Sequence, residues 1–95
     1  MGALWIAHVD VHDDEKYGEY AKVASVVIPE HGGEFIARGG RFVQLEGNER
    51  KRNVVARFPS IEAAEAAYND PRYQDAVKLA QAASTRELMV IETSD

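Results

Sequence analysis

The chain has 95 residues, with 16 acidic and 11 basic side chains, a formal charge of −5 and no cysteine. Its length suits one domain. The acidic balance, with no Lys/Arg run, argues against a nucleic-acid partner, and the missing thiols exclude disulfides, thiolate nucleophiles and Cys-ligated metals.

The hydrophobic period alternates between two and 3.6 residues along the chain. Leu4 to Val11 alternates and reads as strand one, with Trp5, Ala7, Val9 and Val11 on one side. Asp13 supplies a helix N-cap, and Asp14 and Glu15 suit the first-turn dipole. Tyr17, Tyr20, Ala21, Ala24, Val27 and Ile28 then form the apolar stripe of a helix lying on a sheet, closed by Pro29 and Gly32-Gly33. Gly33 to Arg38 reads as strand two. Arg41 to Glu46 reads as its continuation beyond a bulge or bend at Gly39-Gly40. Asn53 to Phe58 is strand three, ended by Pro59. Ser60 caps a second helix, and Asp70-Pro71 opens a third that carries Tyr73, Ala76, Val77, Ala80 and Ala83. Leu88 to Thr93 closes as strand four.

This order is the split βαβ pattern, so the expected fold is an α+β, ferredoxin-like βαββαβ sandwich over residues 1–95. Its four-stranded antiparallel sheet has helices on one face only. Strand three orients the sheet: Val54, Ala56 and Phe58 are apolar and should face the helices, with Trp5, Ala7, Val9, Phe35 and Ala37. The bare side should then carry Ile6, His8, Asp10, Ile36, Arg38, Val55 and Arg57, joined by Val90 and Glu92 from strand four. A face so mixed is too apolar for water and too polar for a dry core. Stacking two copies across a two-fold axis would bury its apolar half and enclose its polar half, so a homodimer through the open sheet face is expected.

Several short motifs support the same architecture. His31-Gly32-Gly33, Phe35 and Ala37-Arg38-Gly39-Gly40, followed by Phe58-Pro59-Ser60, an Ala-rich second helix and Asp70-Pro71-Arg72-Tyr73-Gln74, resemble the family catalogued as domain of unknown function 1330. The resemblance spans nearly the whole chain. It implies a dimeric α+β barrel, a fold shared with small monooxygenases, isomerases and stress-response dimers, and it implies no particular reaction. The chain departs from the family pattern at Asp14, where proline is expected, and at Tyr68, where tryptophan is frequent.

The candidate chemistry lies on the predicted bare face. His8 and Asp10 share one strand face, with Arg57 expected beside them. The imidazole and carboxylate could act as a catalytic base pair, with Arg57 holding an anion; the competing reading is a structural ion-pair network. Arg38 leads into Gly39-Gly40, whose amides could meet a ligand carboxylate, and a salt bridge across a dimer would explain it equally. His31 before two glycines is either a cap at the negative helix end or a pocket residue. His8, His12 and His31 show no helical i, i+4 pair, so no metal site is expected, and no motif calls for a cofactor. The functional expectation is a small dimeric protein that binds or transforms a small anionic or carbonyl-bearing molecule in a cavity lined by His8, Arg38 and Arg57. The alternative is a non-catalytic dimer for ligand sensing or protein interaction. RNA recognition through the same strand order is set aside, because Arg52 to Phe58 offers an aromatic only at its last position. No membrane-length apolar stretch or secretory leader pattern is present, so a cytoplasmic location with no membrane contact is expected.

Overall fold

The computed structural model covers residues 1–95. Its elements are β1 (Ala3–Val11), α1 (Asp14–Glu30), β2 (Glu34–Arg38), β3 (Arg52–Phe58), α2 (Ile61–Asn69), α3 (Pro71–Ala83) and β4 (Ser84–Glu92). The sheet order is β2-β3-β1-β4, and every pair is antiparallel. Local chemistry sets the element ends. The Asp13 carboxylate accepts from the Lys16 amide, the Ser60 hydroxyl from the Ala63 amide, and the Asp70 carboxylate from the Arg72 amide. Helix α1 runs through Pro29, which lies in its last turn. The chain then turns at Gly32, whose φ of 88° favours glycine.

All three helices cover the same sheet face. Trp5, Ala7, Val9, Val54, Ala56 and Phe58 are buried beneath them, with Trp5 edge-on to Tyr73 at 5.4 Å between ring centroids. The molecule is only 17 Å deep along its short axis, one sheet plus one helix layer, and nothing covers the other face. Its exposed surface is 5905 Å², above the roughly 5,400 Å² usual for a monomer of this mass.

On the open face the register arranges side chains in rows. Arg57, Leu4 and Ile91 form one row; Val55, Ile6 and Met89 the next; Asn53, His8 and Glu87 the third. The middle row is thus fully apolar, the Leu4 row is apolar apart from Arg57, and the His8 row is polar. Ile36, Met89 and Ile91 are about half exposed, at 48, 53 and 48%.

Three expectations change. Val90 pairs with Trp5 and packs against the core, so Met89 and Ile91, and not Val90 and Glu92, belong to the open face. A strand of mixed apolar parity does not reveal its facing until its partner's register is known. Residues 41–46 form no strand: the segment 39–51 runs as an irregular arm, with Val43 69% and Leu45 87% exposed. The irregularity in β2 comes earlier than the glycines. Phe35 pairs with Ala56 and Ala37 with Val55, so Ile36 is an extra residue and the alternation inverts after it. Ala37 therefore falls opposite Val55, and Arg38 opposite Val54 on the helix side.

Candidate functional site

The residues expected to form one polar cluster are divided between separate places. Arg57 pairs with Leu4, four residues along β1 from His8, so about 13 Å of strand rise separates them. The partner of Asp10 is Arg50, whose Nη1 donates at 2.9 Å, and the Lys51 backbone amide donates to the same carboxylate at 2.9 Å. Those two donors, the backbone amide foremost, hold Asp10 below the ordinary carboxylate range. The His8 ring lies 2.6 Å from Asn53 Oδ1 through Nδ1. The Asn53 amide nitrogen donates to the Arg50 carbonyl, so its oxygen faces His8 and Nδ1 carries the hydrogen. This network anchors the returning end of the 39–51 arm to β1. It is at most half-buried, open to water at His8 and Glu87, and its acceptors are already occupied.

His31 lies elsewhere again. Its Nε2 is 2.9 Å from Asp70 Oδ2, and the Arg72 guanidinium bridges Asp70 and Glu30 at 2.9 and 2.7 Å. Arg72 first, then His31, holds Asp70 far below the usual carboxylate range. This cluster ties the end of α1 to the α2–α3 junction. Gly40 has open space around it, and the Gly39 amide already donates to the Asn53 carbonyl at 3.0 Å.

The side chains that do converge lie under α1. Arg52 and Arg86 both pair with Val9, so one row of the sheet's helix side reads Arg52, Val9, Arg86. The bulge adds Arg38 to the same side. Its Nη2 donates to Ser25 Oγ on α1 at 2.6 Å, and its guanidinium lies 4.0 Å from the Phe35 ring centre. Helix α1 contributes Tyr17 and Tyr20. These residues, with Trp5, Phe35 and Val54 among others, line a cavity of about 20 Å³, room for roughly one water.

Electrostatics sets this cavity apart. No Asp, Glu or His lines it, and none of its three guanidiniums takes part in an ion pair. The buried Arg52 Nε has no hydrogen-bond partner at all. Burial lifts the Tyr17 and Tyr73 phenols above the ordinary value, so they stay protonated and can donate. Gly39 makes room for the site: a Cβ there would lie 2.6 Å from Arg52 Nη1, at a φ of 71° that disfavours any other residue.

The chemistry available is recognition of an anion by bidentate donors, together with stabilisation of negative charge on oxygen. No side chain in the cavity is suited to take a proton. Nor does any group of three or more His, Asp or Glu side chains stand where it could hold a metal ion. A second cleft, of about 280 Å³, opens on the far side of Trp5 between α2 and β4. Its lining is mostly apolar and includes Tyr68, the residue that departs from the expected tryptophan.

Arg52 and Arg86 were missed for identifiable reasons. Arg52 has the parity of Val54, Ala56 and Phe58, so extending strand three by one residue would have placed a cation on the inward face. Arg86 lies before the expected start of strand four.

The sequence matches the family described as domain of unknown function (DUF1330) over residues 2–94. The chain belongs to this family. No curated protein matches it. A solved protein of unknown function from Rhodopseudomonas palustris, RPA0582, superposes with a TM-score of 0.81 at 22% identity, covering 99% of this chain and 83% of that one. A dimeric ferredoxin-like protein of unknown function from Jannaschia sp. CCS1 gives 0.78 at 15% identity, covering 98% and 100%. SnoaB from Streptomyces nogalater, a cofactor-independent oxygenase, gives 0.69 at 13% identity, covering 99% and 94%. At these identities the likeness is one of fold. The DUF1330 chain thus has a ferredoxin-like architecture, and no helix in it is long and apolar enough to cross a membrane.

Proposed function

We propose that this DUF1330 protein binds a small anionic or carbonyl-bearing molecule beneath α1, with its oxygen end held by Arg38, Arg52 and Arg86. One observation carries the reading: three guanidiniums surround one cavity without a carboxylate, and one of them keeps a buried N–H unpaired. Buried donors without acceptors are costly and rare in cores, and like charges repel, so an anion would resolve both problems. Little more than an oxygen-sized group fits inside. The body of the ligand would extend past Arg38 at the exposed rim.

The SnoaB likeness supports only the fold, so it does not assign oxygenase chemistry to this chain. Because the cavity has donors and no base, the reading favours ligand holding over proton abstraction by the protein.

A homodimer through the open sheet face completes the proposal. Support comes from the apolar rows around Leu4, Ile6 and Met89, the exposed Val43 and Leu45 of the arm, and structural neighbours described as dimeric.

Sodium acetate and sodium formate titrated in thermal melts test the ligand reading. The wild type should be stabilised in a saturable, concentration-dependent way, and Arg52→Met should lose that response. A wild type indifferent to both anions, while sodium chloride is held constant, would overturn the reading.

A further inference from the structure

The cavity wall contains a chain of hydrogen bonds whose direction can be worked out. Tyr73 is fully buried, and its hydroxyl has two neighbours only: Arg86 Nη2, which donates to it at 3.0 Å, and the Tyr20 hydroxyl at 2.7 Å. Arginine cannot accept, so the Tyr73 hydrogen has one available acceptor, the Tyr20 oxygen. The opposite direction would leave a buried hydroxyl hydrogen unpaired. The Tyr20 oxygen is therefore an acceptor from Tyr73, and its own hydrogen must point away. Tyr20 is buried, with 6% residual exposure, and lines the cavity, so its free hydrogen faces that space. The Arg86 guanidinium also lies 4.7 Å from the centre of the Tyr20 ring, where its positive charge strengthens the phenol as a donor.

We infer that Tyr20 O–H and Arg52 Nε–H form a two-donor oxyanion pocket, so the ligand of this site carries an acceptor-only oxygen: a carboxylate, enolate, phenolate or carbonyl oxygen, and not a neutral alcohol or phenol. Tyr73 and Arg86 are positioning residues that set the direction of the Tyr20 hydrogen. The inference rests on the anion reading above and narrows it, because a site of fixed donors discriminates between protonation states of the same molecule. A hydroxyl held by these two donors would bring a hydrogen that neither can take, because arginine has no acceptor and the Tyr20 oxygen already accepts from Tyr73. A phenol would therefore be bound as its anion, with its proton released to solvent.

The test uses 4-nitrophenol, whose two protonation states absorb at different wavelengths, with sodium acetate as the companion probe. At a pH where the free compound is mostly neutral, the bound compound should absorb as phenolate. Tyr20→Phe should weaken phenolate binding about tenfold or more. Tyr73→Phe, which leaves Tyr20 intact but frees its orientation, should cause a smaller loss and shift the bound absorbance toward the neutral form. Both changes keep the ring volume, and the wild-type spectrum decides the matter even if a variant folds poorly. Binding of 4-nitrophenol as the neutral phenol, or a phenolate signal unchanged in Tyr20→Phe, would overturn the inference. So would acetate binding with none of 4-nitrophenol; in all three cases the anion reading stands if acetate still stabilises the protein. Failure of both probes to bind would overturn the two together.

Discussion

The two faces of the sheet hold similar numbers of charged residues and treat them in opposite ways. On the open face Asp10, Arg50, Glu87, His8 and Asn53 satisfy one another within reach of water. On the helix face Arg38, Arg52 and Arg86 stand around a cavity with no acid among them. The first arrangement looks more like an active site in sequence, since it contains a histidine beside a carboxylate. It is the second that keeps donor capacity unspent. An ion-pair network satisfies its own hydrogen bonds, whereas a buried guanidinium with an idle N–H is tolerated at a cost to stability. Unused hydrogen-bonding capacity separates a binding site from a structural one more sharply than charge does.

The open face, if it is an interface, should be sensitive to a single charge. Ile6→Asp places a carboxylate in the middle of its apolar row and should weaken dimerisation by about 3 kcal/mol, roughly a hundredfold. Light scattering at micromolar concentration should show a dimer for the wild type and a monomer for the variant. A wild-type monomer would end the interface proposal.

The helix face makes an unusual stability prediction. Arg52→Met preserves most of the side-chain volume and removes a buried unpaired donor. It should raise the unfolding free energy of the ligand-free protein by about 1–2 kcal/mol in urea titrations, even as it abolishes the response to acetate. A destabilised variant would mean that Arg52 holds the fold and not a ligand.

His8→Ala offers the converse. Losing one exposed hydrogen bond should cost at most about 1 kcal/mol and leave the acetate response untouched. A lost acetate response would restore His8 to the site.

The subtlest expectation concerns acid. Asp70 titrates lower in the folded protein than in the unfolded chain, chiefly through Arg72. Its contribution is therefore complete above the ordinary carboxyl range and is lost as pH falls toward the folded value. Melting curves below about pH 4 should fall more steeply for the wild type than for Asp70→Asn. Parallel curves would show that the α1–α3 tie is not linked to that proton.

Several features were legible in sequence because they depend on neighbours only a few residues apart. The caps at Asp13, Ser60 and Asp70, the α1 stripe from Tyr17 to Ile28 and the inward face Val54, Ala56 and Phe58 all follow from local periodicity and stereochemistry. Their order was enough to imply the split βαβ sheet with one open face. The apolar residues of Arg41 to Glu46 suggested a continued strand, yet strand structure needs a hydrogen-bonded partner, and the arm has none. A single inserted residue at Ile36 changed the facing of Arg38, because side chains in a strand alternate with a period of two and one extra position inverts all that follow.

What the sequence determined by itself was the element order, the caps and the identity of the buried stripe. These are set by backbone stereochemistry and by hydrophobic spacing within each segment. What only the tertiary structure decided was which charges meet. Arg38, Arg52 and Arg86 are brought together across β1 by register, bulge and α1, and Arg57 is kept about 13 Å of strand rise from His8 by the same register. The physical reason is that cross-strand register depends on how distant segments pair, and no spacing within one segment encodes it.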